Sequence, residues 1–441
     1  MDAFIAAQLE ARGIPGASVA VVRDSEVVLA RGYGMANVEQ GTPATENTVY
    51  QLASVTKQFT ATAIMMLVED GRLSLDSRLS DILDGVPKGW SDVTVRHLLN
   101  HTSGIKSYTS VPGFADDRAR HFAHEEVIAL VADSPREFAA GEGWNYNNTG
   151  YFLLGMIIEN VSGTDYDSFL QKRIFGPLGM TSTRLNDSAA IIPGLAQGYD
   201  RRDGSIHAAP SVSPTQPFSA GALVSTVLDL ARWDAALYTE RLLPSEVLER
   251  MWRPTTLNGG QTHGYGFGWE VSEYRTRRRT AHGGGIPGFN TYVARYPDDR
   301  TTVIVLTNLQ GGGAELLANA VATFYIPALR EHAPKPVADA DPATTQRLRA
   351  ITTTLATGTG EPEWFTEESR GFFFPDRIKE GAQLGALGEL GSFELMEESM
   401  QGEANVRGYR AVFGSTPMRV TYSLASDGRI AGIQLRPEEP V

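Results

Sequence analysis

Apolar residues recur at helical or alternating spacing through most of the chain, and the order of the two patterns predicts its architecture. Apolar runs bounded by turn residues predict strands over residues 17–23, 27–34, 265–272, 288–296 and 301–308. Helical spacing predicts helices over residues 3–12, 93–100, 125–132, 149–161, 166–174, 226–238, 245–252 and 315–329. Because strands lie at both ends of this region and helices lie between them, we expect one sheet with a mainly helical lobe inserted into it.

The predicted lobe opens with one strong helix and closes with a segment of different composition. Val55, Phe59 and Ala63 recur at helical spacing after Ser54, and Asp70-Gly71 supplies a stop. Residues 186–222 are rich in Gly, Pro and Ser and are predicted to form a long surface loop.

The composition of residues 331–342, rich in Pro, Ala and Asp, predicts a linker. We therefore expect a first domain over residues 1–330, with its helical lobe over about 54–215, and a separate small α+β domain over 343–441. The predicted elements of the small domain include a helix near 344–355 and strands over 419–424 and 430–435. No catalytic pattern is found in the small domain.

Composition excludes several classes of function. A net charge of −13 over 441 residues argues against a nucleic-acid surface, and the absence of Cys excludes a disulfide, a thiolate nucleophile and a Cys-ligated zinc. No apolar run is long enough to predict a membrane span. The first residues lack the basic and apolar regions of a signal peptide, so we expect a cytoplasmic location, or a periplasmic or secreted one if an export signal has been removed.

Ser54-Val55-Thr56-Lys57 brings together groups that suit acyl transfer. Residues three apart share a helix face, so the Ser54 hydroxyl and the Lys57 amine would be neighbours beside the free N–H groups of a helix N-terminus. The alternative is that Ser54 only caps the helix. A second copy of the pattern, Ser103-Gly104-Ile105-Lys106, contains a glycine that argues against a helix.

Two further segments can carry chemistry. Tyr146-Asn147-Asn148 precedes a predicted helix and offers a proton relay and an amide anchor; the alternative is that Asn148 caps the helix and Tyr146 packs on the surface. Ala281-His282-Gly283-Gly284-Gly285 allows a ligand to approach the backbone closely; the alternative is a loop with a solvated histidine.

These three segments, in this order, resemble the serine β-lactamase and penicillin-binding-protein family. The nearest branch contains class C β-lactamases, D-alanyl-D-alanine carboxypeptidases and their esterase relatives. The flanking segments agree with this resemblance: His101-Thr102-Ser103-Gly104-Ile105, Tyr265-Gly266-Phe267-Gly268-Trp269 and Pro287-Gly288-Phe289-Asn290. The resemblance covers about residues 5–330. It implies an α/β fold of the β-lactamase/transpeptidase type, with an antiparallel sheet flanked by helices and an inserted helical lobe.

The resemblance also implies roles for individual residues. Ser54 would be the acylated nucleophile, and Lys57 the base, with a pKa depressed by burial and by its neighbours. Tyr146 would share proton transfer to the leaving group, and Asn148 would hold Lys57 and the substrate amide. Neither a metal ion nor a cofactor is expected.

The glycine-rich segment would bind substrate. His282 would contact the substrate carboxylate, Gly284 would line the binding site, and the N–H groups of Ser54 and Gly285 would form the oxyanion hole. Gly283 stands where many β-lactamases have Thr, so a hydroxyl that helps to hold a β-lactam carboxylate is missing.

The predicted function is therefore hydrolysis of small esters or D-amino-acid-type amides and peptides through an acyl-Ser54 intermediate, with weak or no β-lactamase activity. The alternatives are a penicillin-binding or sensor-type protein that is acylated without efficient turnover, and a true class C-like β-lactamase. The predicted partner is a small-molecule ester, amide or peptide, and the oligomeric state is left open.

Other polar clusters carry weaker signals. His97 and His101 are four residues apart, as in some metal pairs, but no third ligand is evident and a structural role is favoured. His121-Phe122-Ala123-His124-Glu125-Glu126 lacks the order of a zinc-hydrolase motif. Arg275 and the run Arg277-Arg278-Arg279 predict an exposed hairpin edge; the alternative is that one of them steers a carboxylate substrate.

Overall fold

The computed structural model describes residues 1–202, 204–331, 335–401, 404–414 and 416–438. The chain divides into two compact units, residues 1–330 and 331–441. Within the described residues, no helix combines the length and apolar character needed to cross a membrane.

Among the described residues, the strands of the first unit build one large sheet and three small ones. In chain order they are β1 (Gly16–Arg23), β2 (Glu26–Asn37), β3 (Thr42–Pro43), β4 (Tyr50–Gln51), β5 (Arg184–Leu185), β6 (Tyr199–Arg202), β7 (Ser205–Ala208), β8 (Leu223–Ser225), β9 (Thr255–Thr256), β10 (Thr262–His263), β11 (Glu270–Tyr274), β12 (Arg277–Ile286), β13 (Phe289–Tyr296) and β14 (Thr301–Thr307). The large sheet has the order β11-β12-β13-β14-β1-β2-β3, and its neighbouring strands are antiparallel.

Helices surround the large sheet and fill the lobe. They are α1 (Asp2–Arg12), α2 (Thr56–Glu69), α3 (Leu79–Ile82), α4 (Val95–Leu99), α5 (His124–Ala129), α6 (Asn148–Ser162), α7 (Tyr166–Leu170), α8 (Gly176–Leu178), α9 (Phe218–Gly221), α10 (Val227–Ala236), α11 (Ser245–Met251), α12 (Ala314–Tyr325) and α13 (Pro327–Glu331). A π-helix over Gln171–Phe175 continues α7. The predicted architecture, one antiparallel sheet completed from both ends of the unit around a helical lobe, is confirmed.

The two faces of the sheet bury different sets of side chains. Along β14, Val303 and Val305 belong to the core that includes α1 and α12, whereas Ile304 and Leu306 belong to the core shared with the lobe. Because both faces are covered, β1 and β14 are buried along almost their whole length. Helix α2 lies inside the lobe core, where it packs against α6 and α9.

Two predictions for this unit are wrong. The segment 186–222 is not one surface loop, because it holds the hairpin of β6 and β7 and the buried helix α9. Strand β12 was not predicted, and the strand expected over 265–272 begins at Glu270. The sequence of β12 lacks the alternation of apolar and polar residues that predicts a strand, because it contains an arginine run and three glycines, and neither residue type is typical of buried strands.

The second unit packs helices on a four-stranded antiparallel sheet. Its elements are α14 (Pro342–Leu355), α15 (Glu367–Phe373), α16 (Ala382–Gly385), β15 (Leu390–Gln401), β16 (Ala404–Phe413), β17 (Thr416–Leu424) and β18 (Ile430–Pro437). Leu348 and Ile351 of α14 share a core with Tyr409 and Tyr422 of the sheet. The predicted helix and last two strands are confirmed, whereas β15 and β16 were missed. Residues 332–334 of the predicted linker lie outside the described residues.

Candidate active site

Ser54 lies in a strained turn between β4 and α2. A 3₁₀ turn spans Ala53–Val55, and Ala53 has a φ of 48°, a left-handed conformation that a residue with a Cβ rarely adopts. Val55 is the N-cap of α2, and Ser54 makes no side-chain cap bond to this helix. The interpretation of Ser54 as a helix cap is therefore wrong.

Strand β12 supports this turn from one side. A Cβ placed on Gly284 would lie 2.1 Å from the Leu52 carbonyl oxygen and 3.2 Å from the Ala53 Cβ. The Thr291 hydroxyl donates a 2.8 Å hydrogen bond to the same Leu52 carbonyl. Only glycine at position 284 allows the strand and the turn to approach this closely. Gly284 therefore packs against the nucleophile turn, which differs from its predicted contact with substrate.

The Lys57 amine is buried and lies at the centre of three contacts. Its Nζ is 3.0 Å from Ser54 Oγ, 2.9 Å from Asn148 Oδ1 and 2.8 Å from the Ala220 carbonyl oxygen. Asn148 Nδ2 donates to Thr109 Oγ1 at 3.2 Å, which agrees with the orientation of the Asn148 amide. The amide oxygen and the carbonyl oxygen only accept. A neutral Lys57 amine therefore gives them its two hydrogens and turns its lone pair toward Ser54.

Burial lowers the pKa of Lys57 well below its ordinary value of 10.5. Lys57 is fully buried and forms no ion pair with any residue that the structure describes. Beyond the two acceptor oxygens, the rings of Tyr146 and Tyr151 also lie near Nζ, with centroids 4.8 and 5.4 Å away. A contact with an aromatic ring stabilises a charged amine less than an ion pair with a carboxylate does. The cost of desolvating the charge therefore dominates and favours the neutral amine, which can act as a base.

Tyr146 precedes α6, and its hydroxyl is buried. Asn147, not Asn148, caps α6, because its Oδ1 accepts from the Gly150 N–H at 2.7 Å. The alternatives of a capping Asn148 and a surface Tyr146 are therefore wrong. Burial raises the pKa of Tyr146 above its ordinary value, and the neighbouring Ser54 hydroxyl offsets only part of that rise. Tyr146 is thus a protonated phenol at neutral pH, which makes it a proton donor.

His101 packs against the Tyr146 ring. It was not predicted to belong to the site. Its Nδ1 accepts from the Asn147 N–H at 3.1 Å, and its ring centroid lies 4.4 Å from that of Tyr146 and 4.5 Å from that of Tyr265. Burial lowers the pKa of His101 well below its usual range, so the ring is neutral. His97 instead accepts from the Thr94 N–H at the start of α4, at 3.2 Å. The contacts of His97 and His101 therefore support a structural role for both residues.

His282 lies on β12 beneath the cleft. Its Nδ1 donates to the Gly283 carbonyl at 2.7 Å, and its Nε2 accepts from the Tyr265 hydroxyl at 2.8 Å. Burial lowers the pKa of His282 to about 3, so the ring is neutral and both nitrogens are occupied. Only 1% of the residue is exposed. This placement differs from the predicted direct contact with a substrate carboxylate.

A cleft of about 270 Å³ opens beside the nucleophile. Ser54, Asn148 and Gly285 all line it, and a Cβ on Gly285 would meet no atom within 4 Å. The remaining lining residues come from loops of the lobe and the ends of the sheet: Ala53, Tyr108, Thr109, Phe114, Ala115, Arg118, Val212, Gln216, Pro217, Ala220, Gly221, Ile286, Pro287 and Gln310. The geometry brings Ser54 and Gly285 to one cavity, while their role as oxyanion hole stays a prediction.

The arginine run does not line this cleft. Arg277 pairs with Asp299 at 2.6 Å, Arg278 with Asp298 at 3.2 Å, and Arg279 lies 3.5 Å from a Glu315 oxygen. These three residues pair with β11, whereas the pairing of β12 with β13 begins at Thr280, so their position agrees with the predicted hairpin edge. Their ion pairs leave the steering alternative without support.

The histidines of the zinc-like segment have other partners. His124 packs on Phe218, with ring centroids 4.4 Å apart, and its Nδ1 lies 3.6 Å from a Glu159 oxygen. In the described part of the chain, no group of three or more His, Asp or Glu residues is arranged to hold a metal ion.

Several proteins of known sequence or structure are similar to this chain. Penicillin-binding protein 4* of Bacillus subtilis is 33% identical over 309 residues, which cover 66% of this chain and 67% of that protein. The D-aminopeptidase of Brucella anthropi is 30% identical over 304 residues, which cover 68% of this chain and 58% of that protein. The chain therefore spans less than two thirds of the length of this aminopeptidase.

Solved structures agree. The octameric penicillin-binding protein homologue from Pyrococcus abyssi aligns with a TM-score of 0.67 and 25% identity over 99% of this chain and 97% of that chain. The D-amino acid amidase from Ochrobactrum anthropi SV3 aligns with a TM-score of 0.62 and 28% identity over 75% of this chain and 96% of that chain. The predicted fold class is confirmed. The sequence model of the Beta-lactamase family matches residues 1–326, and this chain belongs to that family.

Proposed function

We propose that this protein is a serine hydrolase that cleaves small esters or D-amino-acid-type amides and peptides through an acyl-Ser54 intermediate. The observation that carries the proposal is the buried Lys57 amine, which lies 3.0 Å from Ser54 Oγ while two acceptor-only oxygens take its hydrogens. This arrangement gives a neutral base with its lone pair on the nucleophile.

Acylation follows from this geometry. Ser54 Oγ attacks the substrate carbonyl carbon while its proton passes to Lys57 Nζ. The resulting oxyanion accepts hydrogen bonds from the N–H groups of Ser54 and Gly285, which line the same cleft. When the bond from the carbonyl carbon to the leaving group breaks, Lys57 returns the proton through the Tyr146 hydroxyl to the leaving amine or alcohol.

Deacylation repeats the sequence with water. Water attacks the ester carbonyl of acyl-Ser54 and transfers a proton to the same base, and the ester bond to Ser54 Oγ then breaks with return of that proton to the serine. Because one relay serves both halves, no second base is required.

The substrate class is proposed from the relatives and from one missing hydroxyl. The D-aminopeptidases and D-amino acid amidases that this chain resembles act on D-amino-acid derivatives, as their names say. Gly283 offers no hydroxyl where many β-lactamases have Thr, and a Cβ there would lie 3.2 Å from the Tyr292 ring. Amides, peptides and esters are therefore favoured over β-lactams.

Burst kinetics with p-nitrophenyl butyrate test the proposal. We expect steady turnover in the native protein and none in Ser54→Ala, because no other described hydroxyl contacts Lys57 Nζ. Turnover that survives in Ser54→Ala would overturn the proposal. Release of one equivalent followed by no turnover would favour a protein that is acylated without being deacylated. A panel of D-alanyl amides, short acyl esters and nitrocefin then ranks the substrate classes.

A further inference from the structure

The cleft beside Ser54 carries one charge. Arg118 is the only charged side chain among its described lining residues, which include no Asp or Glu. Arg118 is half-buried and makes no ion pair or side-chain hydrogen bond with any residue that the structure describes. Its charge is therefore available to a ligand in the cleft.

The backbone around Arg118 is held in place. The Arg118 carbonyl accepts from the Ser213 N–H at 2.8 Å. The buried Gln216 amide donates to the carbonyls of Asp117 and Arg120, at 2.7 and 3.3 Å. The carbonyl of Gln216 in turn accepts from the Tyr108 hydroxyl at 2.8 Å. A buried amide thus fixes the backbone on both sides of one unpaired guanidinium.

The neighbouring arginine is engaged elsewhere. Arg120 Nη2 lies 2.6 Å from Glu126 Oε1, and its guanidinium stacks 4.4 Å from the centroid of the Phe122 ring. Arg120 does not line the cleft. The two arginines, two residues apart, therefore differ in the availability of their charge.

From the proposed mechanism we expect the cleft to receive the acyl part of the substrate. Lys57 and Tyr146 return the proton to the leaving group, so the leaving group lies on their side of Ser54. Neither Lys57 nor Tyr146 lines the cleft, whereas Ser54, Asn148, Gly285 and Arg118 all line it. A chain attached to the scissile carbonyl would therefore run toward the guanidinium.

We propose that Arg118 selects substrates whose acyl group carries a negative charge, such as a carboxylate, away from the scissile carbonyl. The inference rests on the proposed serine hydrolase function and narrows its substrate class. The guanidinium can bind a carboxylate with two parallel hydrogen bonds. A free amino group on the acyl part would find no acidic partner among the described lining residues. Phe114, Val212 and Ile286 would pack against the intervening methylenes.

Three p-nitrophenyl esters of equal chain length test the inference: the neutral hexanoate, the anionic adipate monoester and the cationic ω-aminohexanoate. In the native protein kcat/KM is expected to rank adipate first and ω-aminohexanoate last. Arg118→Met keeps the apolar stem and removes the charge. We expect it to lower the adipate-to-hexanoate ratio about tenfold, since a charge-assisted pair is lost, and to change hexanoate hydrolysis less than about twofold.

Two controls keep the outcomes distinct. Arg120→Met should leave the ratio unchanged, because Arg120 already pairs with Glu126. Added salt should lower the ratio in the native protein and leave it unchanged in Arg118→Met. If Arg118→Met does not alter the ratio of kcat/KM for adipate to that for hexanoate, the inference is overturned. Turnover of hexanoate would still support the proposed hydrolase function in that case. Failure of the proposed hydrolase function would give a different result: all three esters would still be hydrolysed by Ser54→Ala.

Discussion

The chain carries the Ser-x-x-Lys pattern twice, and the two copies differ in backbone conformation. In the first copy, Ser54 lies in a 3₁₀ turn that leads into α2, so Lys57 Nζ comes within 3.0 Å of Ser54 Oγ. In the second copy, Gly104 has a φ of 68° and no helix forms over residues 103–106. Ser103 Oγ there accepts from the Ile105 N–H at 3.3 Å.

The second copy has a structural role instead. The Gly104 carbonyl accepts from the Glu137 N–H at 2.8 Å, and the Lys106 carbonyl accepts from Thr149 Oγ1 at 2.9 Å. These bonds tie the segment to residues on both sides of Tyr146 along the chain. The same four-residue pattern thus brings a hydroxyl and an amine together in one place and supplies backbone support for the segment around Tyr146 in the other.

The comparison shows what the pattern needs in order to do chemistry. A spacing of three brings a hydroxyl and an amine together only on helical backbone. The amine becomes a base only when burial removes its charge and acceptors take its hydrogens. Asn148 and the Ala220 carbonyl supply those acceptors, and both come from distant parts of the chain.

The largest expected effect separates the two lysines. Lys57→Ala removes the base and should lower kcat/KM for p-nitrophenyl butyrate by about 10³- to 10⁴-fold across the accessible pH range. Lys106→Ala is the matched control and should stay within about twofold of the native value. Near-native activity in Lys57→Ala, with folding checked by circular dichroism, would refute the role of the first copy.

The next effect concerns the proton relay. Tyr146→Phe keeps the ring against His101 and Lys57 but removes the hydroxyl, and should lower kcat by about 10²-fold. Because the relay serves the leaving group, the loss should be larger for amides than for p-nitrophenyl esters, whose leaving group departs without a proton. An equal loss for both substrates would contradict a role of the Tyr146 hydroxyl in protonating the leaving group.

The pH dependence of kcat/KM has a defined direction. Burial lowers the pKa of Lys57, and the neutral amine is the active form, so activity should rise with pH through that lowered pKa. Below the pKa each pH unit should lower the rate about tenfold. The profile is measured with a p-nitroanilide, whose product absorbs independently of pH. An acid limb centred at the ordinary lysine value of 10.5 would contradict the burial argument.

The smallest expected effect tests the structural copy. In Gly104→Ala the new Cβ would lie 1.9 Å from the Phe138 carbonyl oxygen, at a positive φ. We expect the free energy of unfolding to fall by about 2 kcal/mol in urea titrations, with kcat/KM per folded molecule within about threefold of native. An unchanged free energy of unfolding in Gly104→Ala would contradict the structural role of the second copy.

Sequence patterns predicted which residues come together near Ser54 better than they predicted the surroundings of these residues. The order of three short motifs identified Ser54, Lys57 and Asn148, which the structure brings into direct contact. The alternative in which Asn148 caps α6 is wrong because Asn147 is the cap, and adjacent asparagines have the same local propensity.

Contacts between distant segments explain the rest. The orientation of His282 depends on Tyr265 and on the pairing of β12, neither of which a local pattern specifies. The Ala220 carbonyl, which accepts a hydrogen bond from Lys57 Nζ, lies in a segment whose composition predicted a surface loop. A backbone carbonyl has no signature in sequence, so this part of the site required the structure.

The protonation state of Lys57 is the central claim, and ¹³C NMR of the protein labelled at lysine Cε measures it directly. The chain has six lysines, and the Lys57 signal is assigned by its loss in Lys57→Arg. We predict that Lys57 titrates well below its ordinary value of 10.5 and is neutral where the enzyme is active. A Lys57 signal that remains that of a charged amine throughout the active pH range would contradict the account.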